Sequence, residues 1–85
     1  MPMYDDLVPD YLLKSIEEFE YVDSFDGDPT QKIRFRGEDD WSLMTARECV
    51  YYELYDDINC AEVAQEIPPD LAWELREKYL DLERG

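Results

Sequence analysis

The chain of 85 residues contains no histidine. Imidazole is the side chain that titrates near neutral pH without perturbation, and it is the commonest metal ligand in proteins. Without it, neither Cys49 nor Cys60 can form a Cys–His nucleophilic pair, and no serine lies in a nucleophile-elbow pattern. A pair of carboxylates would still need a cleft that so small a domain can hardly enclose. We therefore expect a protein that is not an enzyme and that holds no cofactor or metal.

Cysteine and apolar runs are scarce as well. Two cysteines are too few for a disulfide framework, so we expect buried thiols in a cytosolic protein. The first ten residues contain no basic region and no apolar run, which predicts that there is no secretion signal. No stretch is long enough to span a membrane. The sequence predicts a cytoplasmic protein.

Basic residues are few, with 8 lysines and arginines against 23 acidic residues and a formal net charge of −15. Affinity for phosphate backbones comes from Lys and Arg, so the charge speaks against direct binding to nucleic acid. It speaks equally against attraction to an anionic membrane surface. The charge therefore predicts either a basic partner or a role in solubility alone.

The chain nevertheless has enough apolar material to fold, with 45% hydrophobic and 14% aromatic residues. We expect one domain over residues 1–85, with residues 1–8 as a flexible N-terminal arm. Pro9 suits the first turn of a helix. Leu12, Ile16 and Phe19 follow at core spacing, and the helix is expected to end near Phe19.

The middle of the chain changes to an alternating pattern. Residues 20–25 and 31–36 alternate on either side of Asp26, Gly27, Asp28 and Pro29, which predicts a β-hairpin. Residues 37–40 predict a second turn. Trp41 and Leu43 then fit the inner face of a third short strand, giving a three-stranded meander.

The most informative stretch is residues 45–58. Thr45 and Glu48 have the spacing of a capping box, which favours a helix over the strand that residues 49–55 would otherwise suggest. One face is apolar and predicts core packing: Val50, Tyr51, Leu54 and Ile58. The opposite face combines carboxylates with tyrosines: Glu48, Tyr52, Tyr55 and Asp56. These tyrosines either belong to a partner surface or lie under neighbouring loops.

Two further helices are expected. Asn59 and Glu62 repeat the capping spacing, and four residues would then share a core face: Cys60, Val63, Ala64 and Ile67. After Pro68 and Pro69, a last helix would bury Leu71, Leu75, Tyr79 and Leu82. Trp73 and Leu80 lie roughly opposite and are either buried or part of a seam. The predicted fold is α+β, a three-stranded antiparallel sheet packed with three to four helices in the order αβββααα.

Two apparent motifs are rejected. If Asp26 began a calcium-binding loop, Gln31 would stand at the invariant glycine and Gly37 at the bidentate glutamate. Residues 61–75 resemble a helix-turn-helix, but their exposed positions are mainly acidic and would be repelled by DNA.

The acidic residues are spread over predicted folded elements rather than gathered in a tail. A compact chain of this length is about 30 Å across, and duplex DNA carries ~18 charges over that distance. The net charge of −15 is close to that density. A rigid acidic surface could therefore occupy a cationic groove built for nucleic acid.

On its acidic runs (Glu17-Glu18, Asp26-Gly27-Asp28, Glu38-Asp39-Asp40 and Asp56-Asp57) and its small layout, the chain resembles acidic DNA-mimic inhibitors such as phage-encoded anti-CRISPR and anti-restriction proteins. The resemblance covers composition and layout and rests on no specific motif. It implies a stoichiometric block of a basic nuclease or effector complex, without turnover, in the cytoplasm of a bacterial host cell. The predicted partner-binding residues are Glu17, Glu18, Asp26, Asp28, Glu38, Asp39, Asp40, Glu48, Tyr52, Tyr55, Asp56 and Asp57.

Two other interpretations remain open. The chain could be an adaptor or antitoxin-like partner that binds through aromatic and apolar side chains, namely Tyr52, Tyr55, Trp73 and Leu80. It could also be a halophile protein whose acidic surface serves solvation, although it has few Ala, Val and Gly residues. In each case the protein is expected to be a monomer or a homodimer.

Overall fold

A computed structural model describes residues 8–83 of the chain. These residues form helix α1 (Asp10–Asp23), strand β1 (Lys32–Phe35), strand β2 (Glu38–Ser42), helix α2 (Leu43–Val63) and helix α3 (Pro69–Tyr79). The two strands pair antiparallel. Within the described residues the fold is α+β with the order αββαα, so the predicted three-stranded sheet and the order αβββααα are wrong.

Most of the predicted flexible arm, residues 1–7, lies outside the described residues. Its last predicted member, Val8, is only 7% exposed and packs in the core against α1 and its neighbours. Pro9 then precedes the first helical residue, because its fixed φ suits the start of a helix and its missing N–H costs nothing there.

The predicted strand that the structure lacks is the first, residues 20–25, most of which forms the end of α1. Residues 20–25 alternate in sequence, but the helix continues to Asp23. Val22 is fully buried there and packs in one cluster with Ile33 and Phe35 of β1. That burial outweighs the strand preference of the local sequence. Residues 26–29 consequently connect a helix to a strand rather than two strands.

The hairpin turns at Arg36 and Gly37, which have left-handed φ angles of 55° and 81°. Two central residues with positive φ suit the right-handed twist of the flanking strands. The predicted turn over residues 37–40 is therefore wrong beyond Gly37, since Glu38, Asp39 and Asp40 belong to β2. Phe35 pairs with Glu38 and Ile33 with Trp41, so two residues of β2 lie opposite one of β1 in a β-bulge.

Helix α2 is longer than expected at both ends. It begins at Leu43, with Ser42 as N-cap accepting a hydrogen bond from the Thr45 backbone N–H at 3.2 Å, so Thr45 is not the cap. It also continues through Asn59, where a new helix was predicted. The Asn59 side chain instead accepts a hydrogen bond from Arg76 of α3 at 2.6 Å.

Because α2 continues without a break through Asn59, the burial of the residues in its last turns differs from the expected pattern. Ala61 is fully buried, whereas Val63 is 83% exposed and Cys60 is exposed. The predictions that Cys60, Val63 and Ala64 face the core, and that Cys60 is a buried thiol, are wrong. Ile67 is buried at 3% exposure, but it lies in the loop before α3.

The core consists of two clusters along α2. The helical cluster is formed by Val8, Leu12, Ile16, Leu54, Ile58, Ala61, Ile67, Leu71, Ala72, Leu75 and Leu80. The hairpin cluster is formed by Val22, Ile33, Phe35, Leu43, Ala46 and Val50. Phe19 packs against both. Helix α1 runs antiparallel to α2, since Tyr11 near its start donates to Glu66 beyond the end of α2.

Candidate partner interface

The predicted acidic site residues are distributed over most of the described fold rather than collected in one cluster. Eight of them are exposed: Glu17, Asp26, Asp28, Glu38, Asp39, Asp40, Glu48 and Asp56. Glu18 and Asp57 are half-buried, because both lie at the seam between α1 and α2. The exposed acids and the two seam acids therefore differ in what they can offer a partner.

Glu18 is already paired within the chain. Arg36 of the hairpin turn donates from Nη2 to Glu18 at 3.0 Å and to Glu53 of α2, so one guanidinium connects three elements. The hydrogen bond to Glu18, followed by that to Glu53, raises the pKa of Arg36 despite partial loss of hydration. Glu53 was not among the predicted site residues, and nothing in its local sequence indicates a contact with residue 36.

Asp57 is also engaged inside the fold. It accepts a hydrogen bond from the Ser15 hydroxyl across the α1–α2 seam. Its neighbour Asp56 is exposed, because successive residues of a helix point 100° apart. The predicted Asp56-Asp57 run thus separates into one solvent-facing carboxylate and one structural carboxylate.

The hairpin places a second group of acids in solvent. Asp39 lies 3.7 Å from Arg34, with both side chains more than 70% exposed, so this ion pair contributes little. Glu38, Asp39 and Asp40 border an open hollow of about 570 Å³, which Lys32 also lines. The run remains available to a cationic partner.

The loop between α1 and β1 carries the remaining predicted acids. Asp28 accepts hydrogen bonds from the Thr30 backbone N–H and the Thr30 hydroxyl, each at 2.8 Å. The backbone hydrogen bond is the larger cause of a lowered Asp28 pKa, so this carboxylate stays ionised. Asp26 is exposed in the same loop.

Aromatic and aliphatic side chains share the solvent-facing side of α2 with acids. Tyr52 is 64% exposed and Tyr55 39%, so the interpretation that they lie under neighbouring loops is wrong. The longer helix adds Met44, 54% exposed, and Val63. We call this surface the outer face of α2, and it comprises Met44, Glu48, Tyr52, Tyr55, Asp56 and Val63.

Sequence reasoning missed Met44 and Val63 because the predicted helix stopped short of both. The usable signal was present at Ser42, a preferred N-cap residue one position before Leu43. At the other end, the spacing from Tyr52 to Val63 continues the same helical side when no break is assumed.

Trp73 and Leu80 do not form an exposed patch. Leu80 is 3% exposed and belongs to the helical cluster. Trp73 is half-buried, and the Arg76 guanidinium lies 4.8 Å from the centre of its ring. The seam expected for an exposed Trp73 and Leu80 is therefore absent from residues 8–83.

Comparisons with known proteins add no relative: no family model, no curated protein and no solved structure matches the chain. Across residues 8–83, acidic and thiol side chains do not gather in threes in a way that could hold a metal ion. No helix in that part of the chain has both the length and the apolar character needed to cross a bilayer.

Proposed function

We propose that the protein is an acidic DNA mimic that binds and stoichiometrically inhibits a basic nucleic-acid-binding protein or nuclease complex. The observation that carries this proposal is that the arginines are engaged within the chain, whereas most of the predicted site acids are exposed. The arginines of residues 8–83 contact groups of the chain itself: Asp39 for Arg34, Glu18 and Glu53 for Arg36, the Phe25 carbonyl for Arg47, and Asn59 and Glu62 for Arg76. Eight predicted site acids stay exposed.

The dimensions of the molecule support the proposal quantitatively. The fold measures 37 × 28 × 24 Å along its principal axes. Duplex DNA carries one charge per ~1.7 Å of axis, or about 22 charges over the long dimension. A net charge of −15 on this body is the same order of charge, so a groove lined with Lys and Arg would attract it.

The proposal distinguishes two kinds of acidic residue. The loop acids Asp26 and Asp28 and the β2 acids Glu38, Asp39 and Asp40 are exposed and stand in for phosphates. Glu18 and Asp57 hold the helices and hairpin together and contribute mainly through the fold. The target would be met in the cytoplasm of a bacterial host cell.

A capture experiment tests the proposal. The tagged protein is incubated with a bacterial lysate, and the resin is washed with rising salt or with duplex DNA before mass spectrometry. A nucleic-acid-binding protein that DNA displaces supports the proposal. Partners that ignore both DNA and salt overturn it.

A pair of charge-matched variants sharpens this test. In the first, three hairpin acids are neutralised: Glu38→Gln, Asp39→Asn and Asp40→Asn. In the control, three exposed acids in and after α3 are neutralised: Glu74→Gln, Glu77→Gln and Glu83→Gln. At up to about 1 kcal/mol for each exposed ion pair, the hairpin variant should bind more weakly, by up to roughly a hundredfold. Equal losses for both variants would mean that only net charge matters.

A second candidate is an adaptor that binds through aromatic anchors. The 64% exposure of Tyr52 favours it, because exposed tyrosines are enriched in interfaces. An adaptor of this kind would lose binding on Tyr52→Ala and respond little to salt. The same capture experiment therefore separates the two functions.

A further inference from the structure

We infer that the outer face of α2 is a docking surface for a Lys- and Arg-rich amphipathic helix of the target. The inference rests on the proposed function and specifies which surface makes the central contact and which element of the partner occupies it.

The geometry suits a helix lying alongside α2. Met44 and Val63 are at opposite ends of the face, about 28 Å apart along the axis at 1.5 Å per residue. Glu48, Tyr52 and Tyr55 lie between them at successive spacings of four and three residues. This spacing keeps side chains on one side of a helix and is the spacing through which two helices pack.

The side chains on this face are large and exposed. Tyr52 is 64%, Met44 54% and Val63 83% exposed, and they share one side of one helix. Single exposed apolar residues are ordinary, but several large ones on one side of a helix are typical of an interaction site. The row is interrupted between Tyr55 and Val63, where Asn59 and Glu62 bond to Arg76 of α3. The Tyr52 ring also packs edge-to-face on Tyr51 with centroids 5.4 Å apart, which limits the entropy that it would lose on binding.

The charge of α2 indicates which kind of helix would bind this face. The helix contains five acidic residues, of which Glu53, Asp57 and Glu62 already bond inside the fold. Its one base, Arg47, donates to the Phe25 carbonyl at 2.7 Å. Glu48 and Asp56 lie within the exposed row. A second copy would bring these acids against their own equivalents, with −15 on each chain. A cationic amphipathic helix satisfies the apolar row and the acids together.

Amide NMR with a synthetic peptide tests the docking surface directly. The probe is a 21-residue helix with leucine at the a and d heptad positions and lysine elsewhere, compared with a scrambled peptide of the same composition. We expect the heptad peptide to shift amide signals across residues 44–63. Shifts confined to the hairpin acids, or equal binding of the scrambled peptide, would overturn the inference.

Three variants locate the contact. Tyr55→Ala should weaken peptide binding about tenfold, as expected for an aromatic anchor. Tyr11→Ala is the matched control, because Tyr11 is also 39% exposed but lies on α1. Val63→Lys, at an 83% exposed position, should weaken binding by repulsion without disturbing the core. Equal affinities for Tyr55→Ala and Tyr11→Ala would contradict the assignment.

The capture experiment then separates this inference from the proposed function. If a DNA-displaceable target is captured equally by wild type and Val63→Lys, the proposed function stands and the docking surface is wrong. If the peptide docks on α2 but DNA displaces no captured protein, the surface binds cationic helices and the mimic function is wrong.

Discussion

The contact between α3 and α2 includes one buried arginine in addition to apolar packing, and the loss of its ion pair should be measurable. Arg76 is 7% exposed. Its Nη2 donates to Glu62 at 2.7 Å and to Asn59 at 2.6 Å, and its guanidinium stacks on Trp73. A buried charge that loses its partner keeps the cost of its lost hydration. We therefore expect Glu62→Ala to destabilise the protein more than Arg76→Met.

The expected loss of unfolding free energy follows from how deeply Arg76 and Glu62 are buried. Breaking a fully buried pair costs about 3–5 kcal/mol, but the Glu62 side chain is 27% exposed and water can partly solvate the site. We expect a loss of about 2 kcal/mol for Glu62→Ala and about 1 kcal/mol for Arg76→Met, which keeps an apolar side chain of similar length. The first value corresponds to a fall in Tm of about 10 °C.

Urea unfolding followed by circular dichroism and tryptophan fluorescence measures both values. Glu48→Ala is the control, because it makes the same substitution at an exposed site of the same helix and should change stability by less than about 0.5 kcal/mol. The reasoning is refuted if Arg76→Met costs more than Glu62→Ala. It is also refuted if the loss for Glu62→Ala vanishes in 1 M salt, since salt screens a buried pair only weakly.

Three further outcomes follow from local geometry. Ser42→Ala should lower the free energy of unfolding by about 1 kcal/mol, because it removes the N-cap of α2. Thermal denaturation of Ser42→Gly is the comparison, since glycine at an N-cap costs less than alanine. Gly37→Ala should lower the free energy of unfolding by about 1 kcal/mol, because alanine is strained at a φ of 81°. A steric clash does not contribute, since an added Cβ meets nothing within 4 Å. An unchanged Tm would contradict this. Cys60 should react first with a thiol reagent, because it is exposed. Cys49 should react only at higher pH, because burial and the hydrogen bond to Glu53 raise its pKa. Simultaneous labelling of both cysteines at neutral pH would disprove this expectation.

The features that could be predicted from sequence are those decided within a few residues. Val50, Leu54 and Ile58 are buried at 3% exposure or less, as the 3.6-residue period required. Tyr52 and Tyr55 face solvent because the same period places them opposite. The first helix and the strand around Ile33 were likewise readable from local pattern.

The features that were missed depend on partners distant in sequence. The sequence around Val22 favours a strand, but in the fold Val22 is a helical residue that packs against apolar side chains of β1. Asn59 had the spacing of a helix cap, but its amide bonds to Arg76, 17 residues later. Local patterns contain no information on either partner, so the predicted strand and the predicted helix break both failed.

The candidate site was predictable only in part for the same reason. Composition indicated the acid excess, and most of the chosen acids are exposed. The assignment of Glu18 and Asp57 to internal contacts required knowing that Arg36 and Ser15 lie beside them. Charge pattern identifies how many acids a chain carries, whereas the fold decides which of them are left for a partner.

The division of the core into two clusters has a consequence for local unfolding. Phe19 is the side chain that packs against both the helical cluster and the hairpin cluster, while α2 passes through each. We expect opening of the hairpin end to expose the smaller cluster and leave the larger one packed, so that the two ends of α2 would unfold as different cooperative units. Amide hydrogens near Ala46 should then exchange faster than those near Ile58, although both side chains are fully buried in the same helix.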